Sequence, residues 1–308
     1  MFKTKEKKPK VSSLVRGTRK EQATFYAMLA PFFVLFFLFT VLPVIASVFL
    51  SFFHFDAVSL PTWAGLDNYL RMFVQDDVFP TALRNTLVFA IVTGPVGFLL
   101  AFVLAWMVNE FNPAIRTLLS FLFYAPALTG NVYFIWKILF SGDSYGYINS
   151  TMMSMGLIVD PIQWLKSPTY AMPIIIIVQL WLSMGITFLS NISGLQNVNS
   201  ELYEAGAIDG VRTRWHELWY ITLPSMRDIL MFGCVMQIQS AFSVSAVAIE
   251  LCGYPSVNYS VDTIVSLLAD VGNARYEMGY AAAMSVFLFI LMAVTKSLMF
   301  KLINLAGK

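Results

Sequence analysis

Six stretches of about 20 mostly apolar residues dictate the fold, because a helix of that length crosses a ~30 Å hydrocarbon core with its backbone paired internally. They run 23–53, 86–108, 118–140, 171–192, 229–252 and 278–300. The first is longer than one crossing needs and holds Pro31 and Pro43, so a tilt, an interfacial start or a proline kink is expected there. Lys296, near the end of the sixth, can snorkel to the headgroups. Only 12% of the 308 residues are charged, against about 25% in soluble domains. The predicted fold is an all-α membrane protein, a bundle of six transmembrane helices.

The distribution of charge orients the bundle. Of the 20 lysines and arginines, fifteen fall on one side: eight before Ala23, then Arg116, Arg212, Arg214, Arg227, Lys296, Lys301 and Lys308. The positive-inside bias makes that side cytoplasmic and places both termini there. Residues 1–22 are then a basic cytoplasmic tail and 23–308 one transmembrane domain. The tail and the run behind it superficially resemble a signal peptide, but the run is too long and no small-residue cleavage site follows. The outer connections 54–85, 141–170 and 253–277 are rich in Gly, Pro, Asp, Asn and Tyr and are expected to cap the bundle with short helices. Cys234 and Cys252, on one helix, would lie about 27 Å apart, out of disulfide reach.

Several chemistries lack their residues. There is no Gly-rich run ending in Gly-Lys-Ser/Thr to cradle phosphate. The two histidines, His54 and His216, fall on opposite sides of the membrane, which argues against a metal centre or histidine catalysis. A net charge of +2 gives no reason to expect a nucleic-acid partner. The chain is therefore not expected to be an enzyme.

One charged segment interrupts the apolar pattern: residues 199–224, containing YEAGAIDGVRTRWHELWYITLP, on the cytoplasmic side. Asn199 and Ser200 can cap a short helix with Glu201 and Glu204 near its positive end. Leu202, Ala205 and Ile208 form a narrow stripe, and Gly206 and Ala207 permit close approach of another surface. Asp209-Gly210 ends the helix, since glycine adopts the left-handed conformation readily. A second helix restarts near Thr213 with Trp215, Leu218 and Trp219 on one face, and Pro224 fits the first turn of the next span. On the residues alone this hairpin is either an interfacial anchor or a docking surface.

Glu204-Ala205-Gly206, Gly210 and Ile221-Thr222-Leu223-Pro224 resemble the EAA motif of binding-protein-dependent ABC importer permeases. Gly206 stands where that pattern has a second Ala, and ten residues rather than nine separate Gly210 from Ile221. Ala30-Pro31, Leu42-Pro43, Ser51-Phe52, Gly65-Leu66-Asp67-Asn68-Tyr69, Asn85-Thr86, Gly146, Asn149, Ile162, Trp164-Leu165 and Gly279 to Ser285 are similar to the sugar-permease branch related to the maltose transporter. The resemblance implies a type I ABC importer permease in a bacterial cell (inner) membrane. It implies a second, similar permease, two cytoplasmic ATPase subunits that hold ATP and Mg, and an extracytoplasmic sugar-binding protein. It implies ATPase coupling for Glu204, Ala205, Gly206, Asp209 and Gly210, and no cofactor on this chain.

Polar residues deep in spans are costly unless partnered or lining a cavity, so they are candidates for the substrate path. Gln237, Gln239, Ser240 and Ser243 lie within a ~160° arc of the fifth span. Gln179 in the fourth and Asn131 in the third join them. Uncharged amides and hydroxyls suit a carbohydrate, while helix–helix hydrogen bonding inside the bundle explains the same residues. An ion-coupled secondary transporter and a membrane anchor without transport are the alternative functions; the former would usually show an intramembrane ionisable group, and none is evident.

Overall fold

The computed structural model describes residues 19–129 and 132–306. Helix α1 (Arg19–Phe36) begins inside the expected tail, and residues 1–18 lie outside the described part. A π-turn (Phe37–Val41) joins it to α2 (Leu42–Leu50), giving one apolar helix from Thr24 to Leu50. The turn falls just before Pro43: Leu42 N–H reaches back five residues to Phe37 O, so the irregularity sits where proline supplies no donor. A short antiparallel ribbon follows, β1 (Phe53–His54) against β2 (Thr62–Trp63), with Phe53 opposite Trp63. Next come α3 (Asp67–Leu70) and a π-turn to Gln75.

The second span, α4 (Phe79–Asn109), starts seven residues earlier than the apolar stretch beginning at Thr86. Asp76 explains this, since its Oδ1 accepts from Val78 N (2.8 Å) and Phe79 N (3.0 Å) and caps the helix. The third span, expected as one helix over 118–140, is instead α5 (Pro113–Leu128) and α6 (Tyr133–Leu139), bent by 90°. Pro126 removes a ladder donor near the end of α5, and Thr129 is extended (φ −101°, ψ 116°). After α7 (Tyr147–Ser154) comes the fourth span, α8 (Ala171–Gln196).

The basic-side connection holds α9 (Ser200–Ile208), α10 (Arg214–Glu217), a π-turn (Leu218–Thr222) and α11 (Leu223–Ser225). Pro224 lies in α11, one fragment before the fifth span rather than in its first turn, because the chain breaks at Met226 (φ −92°, ψ 4°). That span is also divided, into α12 (Arg227–Phe242) and α13 (Ala246–Cys252). At the break Ser245 is non-helical (φ −147°, ψ −44°), and the Thr263 hydroxyl donates to Val244 O at 2.5 Å. Then α14 (Ile264–Ala269) and a π-turn (Asp270–Ala274) lead to the sixth span, α15 (Met278–Ala306). Among the described residues, five helices are long and apolar enough to cross a membrane, or six with the bent pair counted as one. Both cysteines are free.

Helices α4, α8 and α12 form the centre. Phe89, Ile175, Val178, Val244 and Val261 pack at the acidic end, and Ala101, Ala105, Phe188, Leu195, Leu218 and Met226 at the basic end. Small residues bring the backbones close, the usual means of helix association where lipid offers no hydrophobic drive. A Cβ on Gly97 would collide with the Gln237 amide, and one on Gly233 would meet Thr187 Cγ2 at 3.2 Å.

Buried asparagine amides fasten the outer connections to this centre. Asn68 Nδ2 donates to Ser51 O (2.9 Å) and Phe53 O (3.0 Å), closing the ribbon onto α3. Asn85 Nδ2 donates to Tyr259 O (2.8 Å) and Asp262 O (2.9 Å), while Thr86 Oγ1 accepts from Ile264 N (3.0 Å). The loop before α14 is thereby pinned to α4. Gly279 is needed for a different reason: any side chain there would strike the Phe53 carbonyl.

Asp262 is a buried carboxylate in that pinned loop, and Ser256 N donates to its Oδ2 at 3.1 Å. Burial raises its pKa above the ordinary carboxylate value, against the opposing Ser256 bond. Such a group holds its proton more tightly folded than unfolded, so it favours the folded loop in mild acid and loses that contribution as pH rises through its raised pKa. Asp262→Asn keeps an oxygen for Ser256 N without the buried charge. We expect this variant to match or exceed wild-type stability at neutral pH and to lose the gain on acidification, measured as thermal unfolding in detergent at mildly acidic and neutral pH.

Candidate functional site

The basic-side hairpin is a braced object. The Asn199 side chain accepts from Glu201 N at 3.1 Å, giving α9 the expected cap. Gly210 closes it with φ +94°, a conformation that side-chain-bearing residues rarely adopt. Tyr203 OH pairs with Thr222 Oγ1 (2.9 Å), tying α9 to the returning arm. Gly206 is buried, and a Cβ there would meet Ile221 Cδ1 at 2.6 Å. The surface that approaches Gly206 is thus the chain's own Ile221, which accounts for glycine at this position despite its ~1 kcal/mol helix penalty.

The rest of α9 faces outward. Glu204, Ala205, Asp209 and Gly210 are exposed, with Leu202, Ala207 and Ile208 beside them. Ile208 is 88% exposed, a large apolar side chain presented at a helix end. The second arm differs from the expected single face of Trp215, Leu218 and Trp219: Leu218 is buried in the core, while both tryptophans are 62% exposed. The π-turn begins at Leu218 and rotates that residue inward.

Three contacts brace the second arm, and the two that reach α4 have no signal in local spacing. Arg214 donates to Glu217 Oε2 (2.8 Å) and to Glu110 Oε2 (2.9 Å), bridging the arm to the end of α4. Trp215 packs on Trp106 of α4, with ring centroids 5.6 Å apart. The ion pairs are exposed and worth only ~0–1 kcal/mol, so they set orientation more than stability. They enclose a cavity of about 270 Å³ lined by Trp106, Asn109, Glu110, Tyr203, Arg214 and Glu217.

The structure divides the candidate path residues. Gln179 is buried, and its Nε2 donates to Ser240 O (3.3 Å) and Ser240 Oγ (3.2 Å). Gln237 is buried at the α4–α8–α12 junction, donating to Thr93 O (3.0 Å) and Ser183 Oγ (3.1 Å). Gln239 and Ser243 instead lie exposed on the other side of α12, against Phe289, Met292 and Lys296 of α15 in a cavity of about 360 Å³. Ser240 is half-buried between the two groups. Asn131 lies outside the described residues. Thr187 and Asn191, both buried, extend the polar line of buried Gln179 and half-buried Ser183 along α8. Their four-residue spacing was the available signal.

The chain's membership is established by comparison with known proteins. Residues 94–304 match the family described as binding-protein-dependent transport system inner membrane component, and the chain belongs to that family. It is a multi-pass permease subunit of a transport system, not a catalytic enzyme. Among similar proteins is the probable ABC transporter permease protein YesP of Bacillus subtilis (strain 168), 32% identical over 291 residues, covering 93% of this chain and 92% of that protein. The arabinooligosaccharides transport system permease protein AraP of the same organism is 31% identical over 288 residues, covering 92% and 89%. The fold matches a crystal structure of a bacterial ABC transporter involved in the import of the acidic polysaccharide alginate, with TM-score 0.76 and 25% identity over 94% of this chain and 98% of that one.

Proposed function

We propose that this chain is the transmembrane subunit of an ATP-driven importer that moves a carbohydrate, and more narrowly an oligosaccharide, delivered by an extracytoplasmic binding protein. It pairs with a second, similar permease on two cytoplasmic ATPase subunits, which hold the ATP and Mg. The names of AraP and of the alginate transporter support the substrate class.

The observation that carries the coupling role is the braced, outward-facing α9. Glu204, Ala205, Asp209 and Gly210 meet the ATPase, and Gly206 acts by packing that face onto Ile221. Asn197 to Asn199 join α9 directly to α8. The returning arm buries Leu218, Thr222 and Met226 where it enters α12. A displacement of α9 is therefore delivered to two spanning helices at once, and the bundle rocks to open the path alternately to each side. Co-purification from the native membrane tests this: a nucleotide-hydrolysing subunit should accompany the chain, and its absence after crosslinking at position 204 or 210 would contradict the reading.

The path residues are assigned by exposure. Gln239 and Ser243 touch the substrate directly, Ser240 from the edge, and Gln179 and Gln237 hold the wall in place, with Asn131 a further candidate. Gln239→Ala or Ser243→Ala removes about one hydrogen bond, roughly 0.5–1.5 kcal/mol, and should raise the uptake KM by ~2- to 10-fold with unchanged thermal stability. Gln237→Leu should do the opposite, lowering the unfolding temperature because Ser183 and Thr93 O lose a donor.

A further inference from the structure

The two arms of the basic-side hairpin differ in charge and surface. Residues 199–210 carry Glu201, Glu204 and Asp209 with no Lys or Arg, whereas 211–227 carry Arg212, Arg214 and Arg227 with Glu217 as their only carboxylate. The second arm is also turned inside out for a water-facing element. Leu218 and Thr222 are buried, while Trp215 (62%), Trp219 (62%) and Tyr220 (73%) are exposed together with His216. Trp215 and Trp219 stand four residues apart, and so do His216 and Tyr220, whose rings lie 6.1 Å apart. Trp215, His216, Trp219 and Tyr220 are thus exposed within six residues, and Glu217 between them is held by Arg214 at 2.8 Å, so the arm presents an amphipathic aromatic surface.

We propose that this patch, Trp215, His216, Trp219 and Tyr220 flanked by arginines, seats in the headgroup–acyl boundary of an anionic leaflet. The hairpin then has one acidic arm for a protein and one basic aromatic arm for lipid. Two observations select lipid. The patch is continuous with an exposed apolar strip of a spanning helix: Trp215 packs at a tilt on Trp106 of α4, whose neighbour Met107 is 57% exposed and whose Val103 is 43% exposed. Its charge complements anionic phosphates, which attract Arg and repel the carboxylates of α9. Tryptophan and tyrosine suit that depth, since each ring has an apolar body and a polar tip. The second arm thereby fixes the height of the hairpin against the membrane. This inference rests on the bilayer lying along α4, not on what docks against α9.

Spin labels separate the candidate occupants. The full chain with its co-purifying subunits is placed in nanodiscs of phosphatidylethanolamine and phosphatidylglycerol, on a Cys234→Ala, Cys252→Ser background. Labels at Trp219→Cys, Tyr220→Cys and, as a contrast, Ile208→Cys are read for collisions with oxygen, which partitions into lipid, and with a water-soluble nickel chelate. The labels at 219 and 220 should meet oxygen more than nickel, and the label at 208 should not. Replacing phosphatidylglycerol by phosphatidylcholine should reduce the oxygen preference. Nickel access at both 219 and 220 would mean a water-facing arm, and low access to both reagents would mean a protein-covered one. Either result overturns the proposal, as does an oxygen preference indifferent to lipid charge. Tyr220, whose side chain is 73% exposed, keeps the test valid if Trp219→Cys does not fold.

Discussion

Replacing Gly210 by proline is expected to leave the chain inserted in the membrane while ATP-driven uptake falls by ~100-fold. Proline fixes φ near −65°, and the glycine holds φ at +94°, so the turn cannot be retained. A misfit of ~3 kcal/mol in the turn shifts the equilibrium constant against the native hairpin about 100-fold, and uptake follows where the hairpin is only marginally stable on its own. The spanning helices are not involved: Gly210 sits in open space, with nothing within 4 Å of where a side chain would begin. Glu204→Lys tests the same surface without strain, because an exposed substitution usually changes stability by less than ~0.5 kcal/mol. ATP hydrolysis and uptake measured together in proteoliposomes should separate, with hydrolysis surviving and transport lost. Full uptake in both variants would return the hairpin to a purely anchoring role.

The second large effect belongs to Asn149. Its Nδ2 reaches Ser141 O (3.1 Å), Asp143 O (3.1 Å) and Ile162 O (3.0 Å), while its Oδ1 accepts from Ile162 N (3.2 Å) and Trp164 Nε1 (2.8 Å). One fully buried amide thus closes the loop between α6 and α8. Asn149→Ala leaves several buried donors and acceptors unpaired at once, and a destabilisation of ~3–5 kcal/mol is expected. Thermal unfolding and the fluorescence of Trp164, which packs on Phe140 with centroids 6.2 Å apart, report it directly. An unchanged unfolding temperature would show that other contacts hold the loop.

The spans and the hairpin were legible in the sequence because both rest on local rules. Apolar length marks a spanning helix, and Asn199 and Gly210 mark the two ends of α9 through capping and left-handed backbone preferences. The breaks in the third and fifth spans were not legible as boundaries. The Val244 break involves a bond from Thr263, 19 residues away, and no local pattern carries such a partner. The start of α4 lies outside the apolar stretch for a different reason: it is set by the Asp76 carboxylate, which accepts from Val78 N and Phe79 N, and apolar length carries no trace of a cap.

The candidate path suffered from the same dependence on neighbours. A ~160° arc groups Gln237 with Ser243 on a helical wheel. Only the positions of α4, α8 and α15 separate the buried amide from the exposed hydroxyl. The Arg214–Glu110 bridge spans 104 residues and could not be read from spacing at all. Motif residues such as Asn68, Asn85 and Asn149 carried the family resemblance, and their physical role is loop fastening rather than substrate contact.

The central claim is that the exposed face of α9 meets a nucleotide-hydrolysing subunit. A photo-crosslinking amino acid at Ile208, which projects from that face, tests it in native membranes, with one at Trp219 on the other arm for contrast. The account expects an adduct at 208 whose partner binds and hydrolyses ATP, and none with that partner at 219. An Ile208 adduct containing only lipid, or a partner without ATPase activity, would contradict it.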